Sequence, residues 1–177
     1  MLGVPSHSSR TNNSWLFAPS SLILANHYLP LNGALESTGS MHMNLEDFPL
    51  AWRWTQSSHA KLPDNILCEL HPYDIESAQL LAASRLTHFP AGATRHNSSV
   101  ADEPVKDWLK QLAISSQRVT ILWDQNTALN LPWSVFCDYW DDFCYPSSDD
   151  ADLFLESGQL FLRWNHYEVF EHDPSAI

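Results

Sequence analysis

Arg118–Asp124, RVTILWD, is nearly all apolar or β-branched. A run of that length and composition reads as a central strand buried on both faces. The rest of the chain has to supply the sheet around it and the layers that cover it.

The next stretch, Leu131–Asp150, packs Trp133, Phe136, Tyr139, Trp140, Phe143 and Tyr145 among the aspartates Asp138, Asp141, Asp142, Asp149 and Asp150. Asn130 suits an N-cap, Pro132 suits a first turn, and Leu131–Phe143 reads as one helix. Its apolar side would carry Pro132, Val135, Phe136, Tyr139, Trp140 and Phe143, with Trp133, Tyr139 and Tyr145 at the edge of the packing. Asp138, Asp141 and Asp142 fall mostly on the other side. Asp124–Asn130 between strand and helix reads as a polar turn.

Upstream, Leu50, Trp52 and Trp54 alternate with Ala51, Arg53 and Thr55, the period-2 pattern of a strand with one aromatic face. A short helix is expected over Asp64–Leu70. Asp74 is placed to cap a longer helix, Ile75–Phe89, which Pro90-Ala91-Gly92 stops. Ala93–Ala101 reads as a polar loop. Asp102 is placed to cap a third helix, in which Val105, Trp108, Leu109 and Leu112 share one stripe. Downstream, Asp152–Glu156 and Gln159–Trp164 read as a hairpin about Ser157-Gly158, with Leu160, Leu162 and Trp164 inward. His166–Glu171 alternates again and adds a last strand. The expected fold is α+β (mixed α/β): one sheet of about four to five strands with three to four helices packed on one side.

The 177 residues are one domain's worth. Residues 44–177 carry all of this periodicity and form the expected globular α+β domain. Residues 1–43 are expected to be a poorly ordered extension or a mis-assigned start, with Met41 or Met43 as the natural first residue. The apolar run Trp15–Leu31 is broken by Pro19, Ser20, Ser21, Asn26 and His27, too short and too polar for a span. It has no clean cleavage pattern for a signal peptide. Three cysteines, an odd and low count, fit a reducing cytoplasm.

Charge is uneven along the chain. The net charge is −12, and residues 123–177 hold eleven acids against a single base, Arg163. Such a half repels phosphate backbones and anionic membranes, so neither nucleic acid nor membrane is an expected partner. It favours a basic protein partner. The residues nominated for such contact are Asp138, Asp141, Asp142, Asp149 and Asp150 for steering, with Tyr139 and Tyr145 as anchors.

Enzyme chemistry finds no foothold in the motifs. There is no P-loop, no G-x-G-x-x-G and no G-x-S-x-G. The histidines make no H-x-x-x-H or H-E-x-x-H, and Cys137 and Cys144 lack C-x-x-C spacing. Cys137 reads as a buried, inert thiol. Ser147–Asp152 has the composition of a calcium loop without its spacing. No cofactor, metal ligand or catalytic residue is nominated. The alternative to a binding module is a metal-binding domain or metal-dependent enzyme using the Asp-rich C-terminal half with a histidine such as His166.

Two longer patterns carry a resemblance. A-W-R-W-T-Q-S-S-H-A-K-L-P followed by H-P-Y, and later T-A-L-N-L-P-W-S-V-F-C-D-Y-W-D-D-F with an acidic loop and closing hairpin, are similar to a small family of bacterial proteins, a domain of unknown function. The resemblance spans roughly residues 45–170 and implies no activity or catalytic residue. The closing pattern looks, more loosely, like the ends of acidic toxin-immunity proteins of the Smi1/Knr4-like class. That likeness implies an immunity-type inhibitor of a basic toxin.

Overall fold

The computed structural model describes residues 41–59, 61–84, 93–99, 102–113, 115–158 and 160–172. The expectations for residues 1–40, and for the last turn of the helix that begins at Ile75, lie outside them.

Seven strands form one antiparallel sheet: β1 (His71–Pro72), β2 (Thr94–Asn97), β3 (Arg118–Asp124), β4 (Thr127–Pro132), β5 (Ala151–Leu155), β6 (Phe161–Asn165) and β7 (Val169–His172). Their spatial order is β1-β4-β3-β5-β6-β7-β2. This overturns the expected four to five strands. The fold stays α+β, but the sheet is larger, because three stretches that read as loop, turn or helix end pair as strands. β1 pairs with β4, and β2 adds to the far edge on β7. Thr127–Pro132 is strand and not turn: Asp124 accepts from the Asn126 N–H at 2.7 Å and from the Thr127 hydroxyl at 3.1 Å, which tightens the reversal to Gln125-Asn126. Asn130 caps no helix. Its side-chain amide is buried in the sheet, donating to Thr120 Oγ1 at 3.2 Å and to Glu156 Oε1 at 3.0 Å.

Six helices pack on the sheet among the described residues: α1 (Trp52–Thr55), α2 (Asp64–Leu67), α3 (Ile75–Ala83), α4 (Asp102–Leu112), α5 (Trp133–Asp138) and α6 (Trp140–Phe143). The expected strand over residues 50–55 is instead a turn of helix. Thr55 donates both its N–H (3.1 Å) and its hydroxyl (2.8 Å) to the Ala51 carbonyl. The apparent aromatic alternation divides accordingly: Trp54 is fully buried, while Trp52 keeps 36% of its surface. Tertiary packing overrides a local period of two here. The expected helix Leu131–Phe143 is two helices. Tyr139, at φ −129° and ψ 28°, breaks it. One straight helix offers a stripe far narrower than the set Trp133, Val135, Phe136, Cys137, Trp140 and Phe143, all of which are buried. The break re-aims the second turn so that both groups reach the core.

Strand alternation sorts the sheet into two faces. Val119, Ile121, Leu129, Leu131, Leu153, Leu155, Leu162, Trp164 and Phe170 face the main core with α4, α5, α6 and Trp54 of α1. On the opposite face, Ala78 and Leu81 of α3 pack on Leu122, Ala128, Phe154 and Phe161. Helices therefore cover both sides, unequally, where one side was expected. α3 is capped as its sequence predicts, with the Ser77 N–H donating to Asp74 Oδ1 at 2.7 Å.

Beyond α3, the second face carries charge. Asp152 lies opposite Arg163, Arg163 opposite Glu171, and Glu171 opposite Arg95 on successive strands. Arg163 makes bonds of 2.7 and 3.1 Å to Asp152, and Arg95 reaches Glu171 at 2.8 Å. The result is a ladder of alternating sign across four strands.

Candidate functional site

The acidic stretch does not stay together on folding. Asp149 turns inward. Its carboxylate takes a two-pronged contact from the Arg53 guanidinium, at 2.6 and 2.9 Å, and accepts from the Tyr145 N–H at 3.0 Å and the Ser148 hydroxyl at 3.2 Å. Both partners of this ion pair are buried. The Tyr145 ring lies over the same guanidinium at 4.4 Å, so Tyr145 is half-committed to the interior. Sequence reasoning missed Arg53. Its one signal was a charge set between two tryptophans in W-R-W.

Asp150 takes a separate course. It accepts from the His166 backbone N–H at 2.9 Å and lies 2.8 Å from His166 Nδ1. Burial raises its carboxyl pKa, but the His166 contacts outweigh that and hold it below the usual range. The loop that precedes both aspartates places Ser147 at φ 63°.

Asp138, Asp141 and Asp142 are the part of the nominated set that forms a surface. They lie along α4, from Lys110 near its end to Lys106 and Asp102 at its start, and the three helices together make an acidic edge. Asp138 is exposed and pairs with Lys110 at 2.7 Å. Asp102 accepts from Trp140 Nε1 at 2.6 Å and pairs with Lys106 at 2.6 Å, with Glu103 3.9 Å from the same lysine. Asp107 is exposed on the same helix, close enough to raise the Lys110 pKa further. Asp141 is exposed, and Asp142 is half-buried beside it. Burial first, then repulsion from Asp141 and Asp102 against the pull of Lys106, lifts the Asp142 carboxyl from 3.8 to about 6. Six carboxylates thus share two lysines. Tyr139 is half-buried at the break between α5 and α6.

Other polar groups form structural networks. Arg118 donates to Asn130 Oδ1 and to the Glu69 carbonyl, and lies 3.2 Å from His71 Nδ1. His96 stacks flat on Trp108 at 4.2 Å, docking β2 onto α4. Cys137 and Cys144 are buried; burial pushes the Cys137 thiol up to about 12 and Cys144 well above its ordinary value. Among the described residues, no three His, Cys, Asp or Glu side chains converge where a metal ion would sit. Asp138 and Asp142 lie on either side of the break at Tyr139, and Asp138 is turned to Lys110. No helix among the described residues is long and apolar enough to cross a membrane.

Compared with known proteins, the chain matches no family model, no curated protein and no solved structure.

Proposed function

We propose that this chain is a non-enzymatic, cytoplasmic protein-binding module that docks a basic protein on the acidic edge formed by α4, α5 and α6. Its most concrete form is an immunity-type inhibitor that neutralises a basic toxin. The observation that carries this reading is the uncompensated charge of that edge, where, among the described residues, Asp102, Glu103, Asp107, Asp138, Asp141 and Asp142 face only Lys106 and Lys110. A concentrated negative field speeds encounter with a cationic surface and fixes its orientation. The same field repels nucleic acid. The loose likeness of the closing pattern to acidic immunity proteins points the same way.

The test is capture from a lysate of the native cells at about 50 mM and about 500 mM salt, a range over which exposed charges are progressively screened. The expected result is a basic partner retained at low salt, released at high salt, and lost to the variant Asp107→Lys/Asp141→Lys. Both positions are exposed, so the fold should tolerate the change. A partner whose capture ignores both salt and charge reversal refutes the reading.

A further inference from the structure

α1 stands against α6: Trp54 Nε1 donates to the Asp142 carbonyl at 2.9 Å, and the Trp54 ring meets Phe143 at 5.1 Å. Between α1 and the 3₁₀ turn Leu45–Asp47 opens a shallow cleft of about 560 Å³. Leu45, Phe48 and Ala51 give it an apolar lining, Trp52 an aromatic one, and Glu46 and Gln56 a polar rim. Its volume falls in the range of small-ligand sites, with room for a long side chain.

The Trp52 indole is fixed in place. His59 meets it edge-on at 4.6 Å, and Tyr145 does so at 6.5 Å. Trp52 is also among the few large hydrophobic residues that remain exposed among the described residues. The net charge around the cleft is negative, although the Arg53 guanidinium itself lies 5.6 Å from the Trp52 ring centroid. Residues 41–59 contain Glu46 and Asp47, and their single arginine, Arg53, is buried and held by Asp149. Lys61, just beyond, pairs with Asp64 at 3.2 Å.

We infer that this cleft receives a long basic side chain, arginine or lysine, from the docked protein. The alkyl stem lies over Leu45, Phe48 and Ala51, and the cationic head reaches Glu46 across the Trp52 ring. A purely apolar side chain would strip water from Glu46 and Gln56 without replacing it. An acidic one would meet like charge. The inference rests on the docking reading above and adds to it the kind of residue that anchors the partner.

The full chain labelled with 5-fluorotryptophan gives a direct readout, with the Trp52 resonance assigned by its absence in Trp52→Phe. The probes are N-acetyl-arginine amide and its neutral isostere, N-acetyl-citrulline amide. The arginine probe should shift the Trp52 signal saturably, with a dissociation constant on the order of millimolar for so few contacts. Citrulline should bind at least about fivefold more weakly, and Glu46→Gln should weaken the arginine probe about threefold. The other tryptophan signals should hold their positions in Glu46→Gln, which reports an intact fold. A Trp52 signal that fails to shift, or that responds equally to citrulline, overturns the inference. The two readings separate cleanly. A silent Trp52 with capture still lost on Asp107→Lys/Asp141→Lys removes the cleft and keeps the docking edge. A responsive Trp52 with charge reversal harmless keeps the cleft and removes the edge.

Discussion

Replacing Arg53 by methionine keeps most of the alkyl stem and removes the guanidinium, with its bonds to Asp149 and its contact with the Tyr145 ring. Arg53 and Asp149 are each 6% exposed, so the carboxylate left behind has almost no water to turn to. Removing one partner of a buried ion pair costs about 3–5 kcal/mol. Asp149 would retain the Tyr145 N–H and the Ser148 hydroxyl, which places the expected loss at the low end, about 3 kcal/mol. For a domain of this size that is a fall of about 10 °C in Tm. Urea unfolding followed by tryptophan fluorescence at pH 7 measures it, since Trp54 and Trp123 lie in the same core. The double variant Arg53→Met/Asp149→Leu removes both charges together. It should therefore be less destabilised than the two single changes added. A loss below about 1 kcal/mol for Arg53→Met, or a double variant equal to the sum of the singles, would show that the pair does not hold α1 to the loop before β5.

Two further outcomes follow from the titrating groups. Asp142 titrates at about 6 in the folded protein against an ordinary 3.8, so between those values the folded chain holds a proton that the unfolded chain has released. Stability from this group is therefore lost as pH rises through that window, and the penalty is complete above it. Discounted for half exposure, the penalty is about 1 kcal/mol; Asp142→Asn should recover that much at pH 7 and nothing near pH 4, and equal effects at both pH values would refute the assignment. With Cys68 exposed and Cys137 and Cys144 buried, a thiol reagent at pH 8 should modify Cys68 alone among these three in the native protein and all three after unfolding; prompt native labelling of Cys137, read by peptide mass, would contradict the burial.

The parts of the fold legible in the sequence are those whose partners do not alter the pattern. RVTILWD is apolar enough to be a central strand wherever its neighbours come from, and β5–β6 announces itself by its turn and by Leu160, Leu162 and Trp164, all buried. Asp74 needs only Ser77, three residues away. What stayed hidden depends on distant chain. Arg53 is drawn inward by Asp149, 96 residues later, and the strand pattern around it gives way to helix. Thr94–Asn97 is too polar to read as strand and becomes one only because β7 offers an edge and Trp108 a ring for His96. The acidic C-terminal half was visible as a run of letters. Its division into an inward Asp149, a His166-bound Asp150 and an edge made with α4 was not, because Lys106, Lys110 and Asp102 belong to an earlier part of the chain.

The Asp152–Arg163–Glu171–Arg95 ladder gives one side of the sheet a particular electrical character. Opposite charges spaced by a strand separation, about 4.8 Å, cancel within a short distance of the surface. A visiting ion would sense little from the ladder itself until it touched. The acidic edge belongs to helices on the other side of the sheet, where the imbalance persists. Among the described residues, a cationic body would therefore be drawn more strongly to the acidic edge than to the ladder, and would experience a torque as well as an attraction. It would arrive already turned toward α4 and α6.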